Sequence, residues 1–110
     1  MIFATTDTVP GCKITKTIGL VRGNTIRARH VGHDIMAGLK NLVGGEIEEY
    51  TKLMGEAREQ SLDRLAAEAA SLGANAVIGL RFTTSSVMSG ASELLAYGTA
   101  VITESDAVDA

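Results

Sequence analysis

The chain has no tryptophan, one proline, one cysteine, two tyrosines and two phenylalanines. A single thiol, Cys12, cannot close an intramolecular disulfide, which excludes a disulfide-built secreted scaffold and leaves no disulfide partner within the chain. No apolar run approaches the roughly 20 residues of a membrane span, so no membrane partner is expected. Met1-Ile2-Phe3-Ala4 passes at once into Thr5, Thr6 and Asp7, where a signal peptide would have its apolar segment, and the expected location is the cytoplasm. Clustered positive charge is also scarce. The formal net charge is −3, and neutralising a phosphate backbone needs grouped Lys and Arg, so no nucleic-acid partner is expected despite the basic bias of Lys13, Lys16, Arg22, Arg27 and Arg29.

The shortage of bulky side chains has a structural consequence. The chain is 45% hydrophobic yet only 4% aromatic, so its apolar mass is Ala, Val, Leu, Ile and Met. A domain of 110 residues buries roughly two-thirds of its unfolded surface. With so thin an aliphatic core, part of its apolar surface is expected to be buried against another copy of the same chain.

What is present is organised around Glu46 to Phe82. Ile47, Tyr50, Met54, Ala57, Ser61, Leu65 and Leu72 recur at steps of three, four and seven, which places them along one face of a long amphipathic helix. Leu72-Gly73 supplies its stop, because glycine enters the left-handed conformation freely. Ala76 to Phe82 then reads as a strand. Earlier in the chain, Ile2 to Thr5 suits a short edge strand, Pro10-Gly11 a type II turn, and Ile14 to Arg22 a longer strand in which Gly19 marks a bulge or a close approach by a neighbour. Gly23-Asn24 is a turn or a further bulge, after which Thr25 to His30 stays extended. Asp34 is placed to cap a first helix, lined by Ile35, Leu39, Leu42 and Val43 and ended by Gly44-Gly45. Arg81 to Ser92 leads into a loop, SSVMSGAS from Ser85 to Ser92, whose small polar residues predict a mobile hairpin tip. Glu93 to Thr103 is a final strand with apolar or small residues on both faces.

The order strand, strand, helix, helix, strand, strand predicts an α+β, two-layer unit with an antiparallel sheet and one long helix packed on it. Residues 1–103 are expected to form a single domain, and residues 104–110, with Glu104, Asp106 and Asp109, an acidic disordered tail.

The strings FATTDT, GLVRG at Gly19 to Gly23, DIMAGLKNLVGG at Asp34 to Gly45, EAREQ, LGANAVIG and YGTAV together resemble the YbjQ-like family of small bacterial proteins, described as heavy-metal-binding and without an established activity. The resemblance covers nearly the whole chain, to about Thr103. It implies a homopentamer of α+β subunits in a β/α propeller-like ring, related in style to dodecin, with short strands used for assembly. It brings no ligand set that maps residue by residue.

Three features carry candidate chemistry. His30, His33 and Asp34 offer two imidazoles and a carboxylate, the donor types of a zinc or copper site; the alternative is that Asp34 caps a helix and the histidines are surface residues. Cys12, after Pro10-Gly11, is either a small buried hydrophobe or a soft-metal or redox thiol beside Lys13. Met54 belongs to the helical core stripe, and Met36 and Met88 lie far apart in sequence, so packing accounts for the methionines better than copper(I) does. Glu68 falls by helical phase on the same stripe as Tyr50, Ala57 and Ser61, where a bare carboxylate is costly to bury. Arg64 precedes it by four residues and Arg58 borders the stripe, so Arg58, Arg64 and Glu68, together with Tyr97 on the last strand, are candidate subunit-interface residues. No nucleophile with a base, no phosphate loop and no paired carboxylates stand out. The expectation is a non-enzymatic oligomer that binds a divalent or soft metal ion or a small ligand between subunits; the alternative is an assembly module with no ligand.

Overall fold

The computed structural model describes residues 1–28 and 48–106. Its elements are β1 (Ile2–Phe3), β2 (Cys12–Ala28), α1 (Glu48–Ser71), β3 (Ala76–Met88) and β4 (Ala91–Ser105). The strands form one sheet in the order β1-β3-β4-β2, and α1 packs across β2 and β4. The expected first helix over Asp34 to Val43 lies outside the described residues.

The sheet is mixed and not wholly antiparallel as expected. β2 and β3 both run antiparallel to β4, while β1 runs parallel to β3 with Ile2 beside Ala76 and Phe3 beside Val77. A two-residue strand carries no alternation from which its direction could be read. Its place is set by backbone bonds from Ile2 N–H to the Asn75 carbonyl (3.0 Å) and from Ala4 N–H to the Val77 carbonyl (2.9 Å).

The turn and cap chemistry formed as the residues dictate. Cys12 N–H reaches the Val9 carbonyl at 3.0 Å, and Gly11 has φ +82°, closing a turn centred on Pro10-Gly11. At the end of α1, Gly73 N–H donates to the Ala70 carbonyl and Ala74 N–H to the Ala69 carbonyl, both at 3.0 Å. With Gly73 at φ +83°, this is the paired 5→2 and 6→1 arrangement of a Schellman cap. β2 shifts register between Thr17 and Gly19, so of the two alternatives at Gly19 the structure has the bulge and not the close approach, nothing lying within 4 Å of an added methyl there; a second shift falls between Ile14 and Lys16.

Gly23 is neither turn nor bulge. It continues β2, opposite Ala96, and a methyl group placed on it would lie 2.2 Å from the Ser61 carbonyl oxygen and 2.4 Å from the Leu65 nitrogen. The helix backbone therefore rests directly on the strand, which explains how a core of small residues closes. Ala57, Ser61, Leu65 and Ala69 form a single buried row at steps of four, facing Val21, Val77, Leu80, Ala96 and Ala100. Among the described residues, the largest fully buried side chains are Leu65, Val21, Val77, Val101 and Ser61, none of them aromatic.

That narrow row corrects two expectations about the helix. Leu72 is 50% exposed, because α1 ends at Ser71 and Gly73 turns the chain away. Glu68 is exposed, since it stands one residue, about 100° of helical turn, before buried Ala69. The predicted hairpin loop is also shorter than expected: β3 runs to Met88 and β4 begins at Ala91, leaving Ser89 and Gly90 as the reversal, with Gly90 at φ +80°. The Thr and Ser residues there mark solvent exposure, not irregular backbone. β4 likewise runs beyond Thr103 to Ser105, and Asp106 N–H bonds the Gly11 carbonyl at 2.9 Å.

Candidate functional site

Alternation along β4 sorts the sheet into two faces. Leu94, Ala96, Gly98 and Ala100 are buried, while Leu95, Tyr97 and Thr99 are half-buried on the side away from α1. Tyr97 pairs with Arg22 of β2 on one flank and Arg81 of β3 on the other, so a phenol stands between two guanidinium-bearing positions. Arg81 is turned toward the sheet edge, its Nη1 donating to the carbonyls of Thr5 and Leu80, both at 2.8 Å.

The other three candidate interface residues lie elsewhere. Arg58, Arg64 and Glu68 are exposed along α1. Arg64 reaches the Asn24 carbonyl through Nη1 at 2.5 Å and so helps tie α1 to β2. The structure thus places Arg58, Arg64 and Glu68 on the helix and Tyr97 on the opposite side of the sheet.

Cys12 is a free, half-buried thiol at the first residue of β2, beside Ser105. His30, His33 and Asp34 lie outside the described residues. Among the described residues, no three His, Cys, Asp or Glu side chains come together as a metal-binding group. Met54 is half-buried on α1 and Met88 is 67% exposed at the hairpin.

Two features escaped the sequence reading. The first is a buried hydroxyl pair between β2 and α1. Thr25 Oγ1 lies 2.9 Å from Ser61 Oγ and donates to the Ala57 carbonyl at 3.2 Å, and Ser61 Oγ donates to the Leu94 carbonyl at 3.1 Å. Both side chains are 2% exposed or less. The network locks helix to sheet and satisfies polar groups that would otherwise be costly to bury. Ser61 was visible on the apolar stripe, but nothing local marked Thr25 as its partner. The second is an open groove of about 650 Å³ lined by Arg27, Lys52, Gly55, Glu56, Glu59, Gln60 and Asp63. Arg27 donates from Nη2 to Gln60 Oε1 at 3.0 Å, and its Nε is buried without a partner. Mixed charge of this kind suits polar contacts better than it suits a metal ion, which asks for converging anionic or neutral donors.

Comparison with known sequences gives these positions a family. The profile of the family described as "Putative heavy-metal-binding", YbjQ, matches residues 1–104. The chain belongs to the YbjQ-like family. A UPF0145 protein of Dehalococcoides mccartyi is 60% identical over 104 residues, 94% of this chain and all of that one. A UPF0145 protein of Methanosarcina acetivorans is 57% identical over 101 residues, 92% of this chain and 95% of the relative. The YbjQ-like family therefore extends to archaea and is not confined to bacteria as the resemblance implied. Among solved structures, a protein of unknown function in the DUF74 family from Pediococcus pentosaceus superposes with a TM-score of 0.62 at 18% identity, covering 94% of this chain and 98% of that one. That likeness shows the shared α+β fold. No helix among the described residues is long and apolar enough to cross a membrane.

Proposed function

We propose that this YbjQ-like chain is a subunit of a small closed homo-oligomer, a ring of five, that takes up a heavy-metal ion or other small ligand where subunits meet and carries out no catalysis of its own. The observation that carries the reading is the apolar surface that one copy leaves uncovered. Leu20 is 67% exposed, Ile26 58%, Phe82 42%, Val87 50% and Met88 67%, all on β2 and β3. Among the described residues one helix covers one side of a sheet whose strands reach 17 residues, and a sheet with apolar groups on both sides is completed by a further layer or by neighbouring strands. Shape supports the same reading. The chain measures 61 × 27 × 16 Å with a radius of gyration of 18.1 Å, against about 13 Å for a compact domain of this length.

The metal part of the reading rests on the family's description. Its donors within one chain are few: His30, His33, Asp34 and Cys12. Cyclic symmetry repeats each donor around the axis, which is how a sparse set becomes a coordination shell. The second reading, an assembly module without a ligand, is favoured by the lack of three converging donors among the described residues. The cytoplasm is the proposed place of work for either.

Calorimetric titration with zinc and with copper separates the two readings. Binding by the unsubstituted protein that is lost in the His30→Ala, His33→Ala double variant supports the shared metal site. Unchanged stoichiometry removes the histidines from it, and no binding by the unsubstituted protein leaves the assembly module.

A further inference from the structure

Arg22, Tyr97 and Arg81 lie side by side across β2, β4 and β3, and residues directly opposite one another in a sheet point to the same side. That side is the one away from α1, since Gly23 and Ala96, next to them in sequence, pack beneath the helix. The Cα positions of Arg22 and Arg81 are two strand spacings apart, about 10 Å, with the phenol between them.

The fold leaves donors free in all three. Neither the Arg22 guanidinium nor the Tyr97 hydroxyl has a hydrogen-bond partner among the described residues. Arg81 engages Nη1 with the carbonyls of Thr5 and Leu80, each at 2.8 Å. Those two bonds fix the plane of its guanidinium and leave Nε–H and Nη2–H, an adjacent pair whose fork matches two oxygens of a carboxylate or phosphate. A receptor held in place before its ligand arrives loses less freedom on binding.

Charge favours the same kind of occupant. Across the paired rows from Leu20 to Ile26, this side of the sheet carries a single carboxylate, Glu93, two rows from Tyr97, and Glu93 accepts from Asn24 Nδ2 at 3.2 Å. Two positive charges thus flank one phenol on a chain of net charge −3, and they repel each other unless an anion lies between them. Half-buried Leu95 and Ile78 stand in the neighbouring rows on the same side, so a hydrocarbon body extending from the anion has apolar surface to cover.

We propose that this row is a binding site for a small organic oxyanion, a carboxylate or phosphate monoester with an apolar body, held by the Arg22 guanidinium, the Tyr97 hydroxyl and the Nε–Nη2 edge of Arg81. The same charges reject a metal ion. The site is complete within one chain and depends on neither the metal nor the oligomer reading above.

Calorimetric titration of the unsubstituted protein at low salt, with chelator present, tests the proposal with three probes: phenyl phosphate, phenylacetate and inorganic phosphate. Phenyl phosphate or phenylacetate is expected to saturate one site per chain, and the tighter of the two assigns the phosphate or the carboxylate source. Inorganic phosphate is expected to bind more weakly than phenyl phosphate; equal affinity overturns the organic part of the assignment. Arg22→Gln and Tyr97→Phe each remove a charge-assisted contact and are expected to weaken the tighter probe about tenfold or more. Both should keep the parent's urea midpoint, because neither group has a partner in the fold. Lys52→Gln, on α1, removes the same charge from the other side of the sheet and is expected to leave binding unchanged. The proposal is overturned if neither organic anion binds, if affinity survives both Arg22→Gln and Tyr97→Phe, or if Lys52→Gln weakens binding as much as Arg22→Gln does, which is the mark of an adventitious anion only.

Discussion

Alanine at Gly23 is the sharpest perturbation this fold offers. Its methyl group would lie 2.2 Å from the Ser61 carbonyl oxygen, 2.4 Å from the Leu65 nitrogen and 3.0 Å from the Arg64 carbonyl carbon. All three are helix backbone, so no side chain can swing aside and α1 must lift from β2. Overpacking of this kind costs about 1–3 kcal/mol. Lifting the helix also strains the Thr25–Ala57 and Ser61–Leu94 bonds, each contributing about 1 kcal/mol. The expected loss is about 3–5 kcal/mol, a large share of the roughly 5–15 kcal/mol that holds a domain folded. Urea denaturation followed by circular dichroism at one fixed protein concentration measures it, because the proposed subunit association would make stability concentration-dependent. Gly55→Ala is the matched control: it sits in α1 with nothing within 4 Å of an added methyl, and there alanine should stabilise by about 0.5–1 kcal/mol. A Gly23→Ala protein within about 0.5 kcal/mol of the parent would refute the direct contact of helix backbone and strand, since that is the scatter of surface substitutions.

Two further substitutions probe the polar contacts. Ser61→Ala leaves the buried Thr25 hydroxyl without its side-chain partner and frees the Leu94 carbonyl, and should cost about 1–3 kcal/mol by the same urea assay; adding Thr25→Val should cost less than the two single changes together. Asn75→Ala removes bonds to the Thr103 carbonyl, amide and hydroxyl at 2.8, 2.8 and 3.1 Å, and is expected to destabilise by about 2–3 kcal/mol, read as a lowered denaturation midpoint.

Local chemistry was legible wherever one or two residues decide the backbone. The Pro10-Gly11 turn and the Leu72-Gly73 stop formed where their residues placed them, and Gly19 took one of its two expected roles, a bulge, because each depends on φ preferences that glycine and proline impose. The long helix and the strands on either side of it followed from periodicity. Direction and distance were less visible. The parallel course of β1 is set by backbone bonds to β3, and the role of Gly23 is set by a helix that begins 25 residues later in the chain. Ser85 to Met88 read as part of the loop because small polar residues were taken for irregular backbone, although an antiparallel strand with one side in water carries polar residues. Glu68 looked buried because steps of three, four and seven draw a broader stripe than the row of fours the helix uses. Of the candidate site, Cys12 is half-buried and free, and Tyr97 faces away from α1 as a last strand apolar on both sides allowed. The partners of Thr25 and Arg27, which lie more than 30 residues away along the chain, had no local signature.

Native mass in solution tests the central claim most directly. Light scattering or native mass spectrometry at micromolar concentration, with and without chelator, should return five times the 11.5 kDa of one subunit. A folded 11.5 kDa monomer under those conditions would mean that the exposed Leu20, Ile26 and Val87 need no second copy, and would contradict the account.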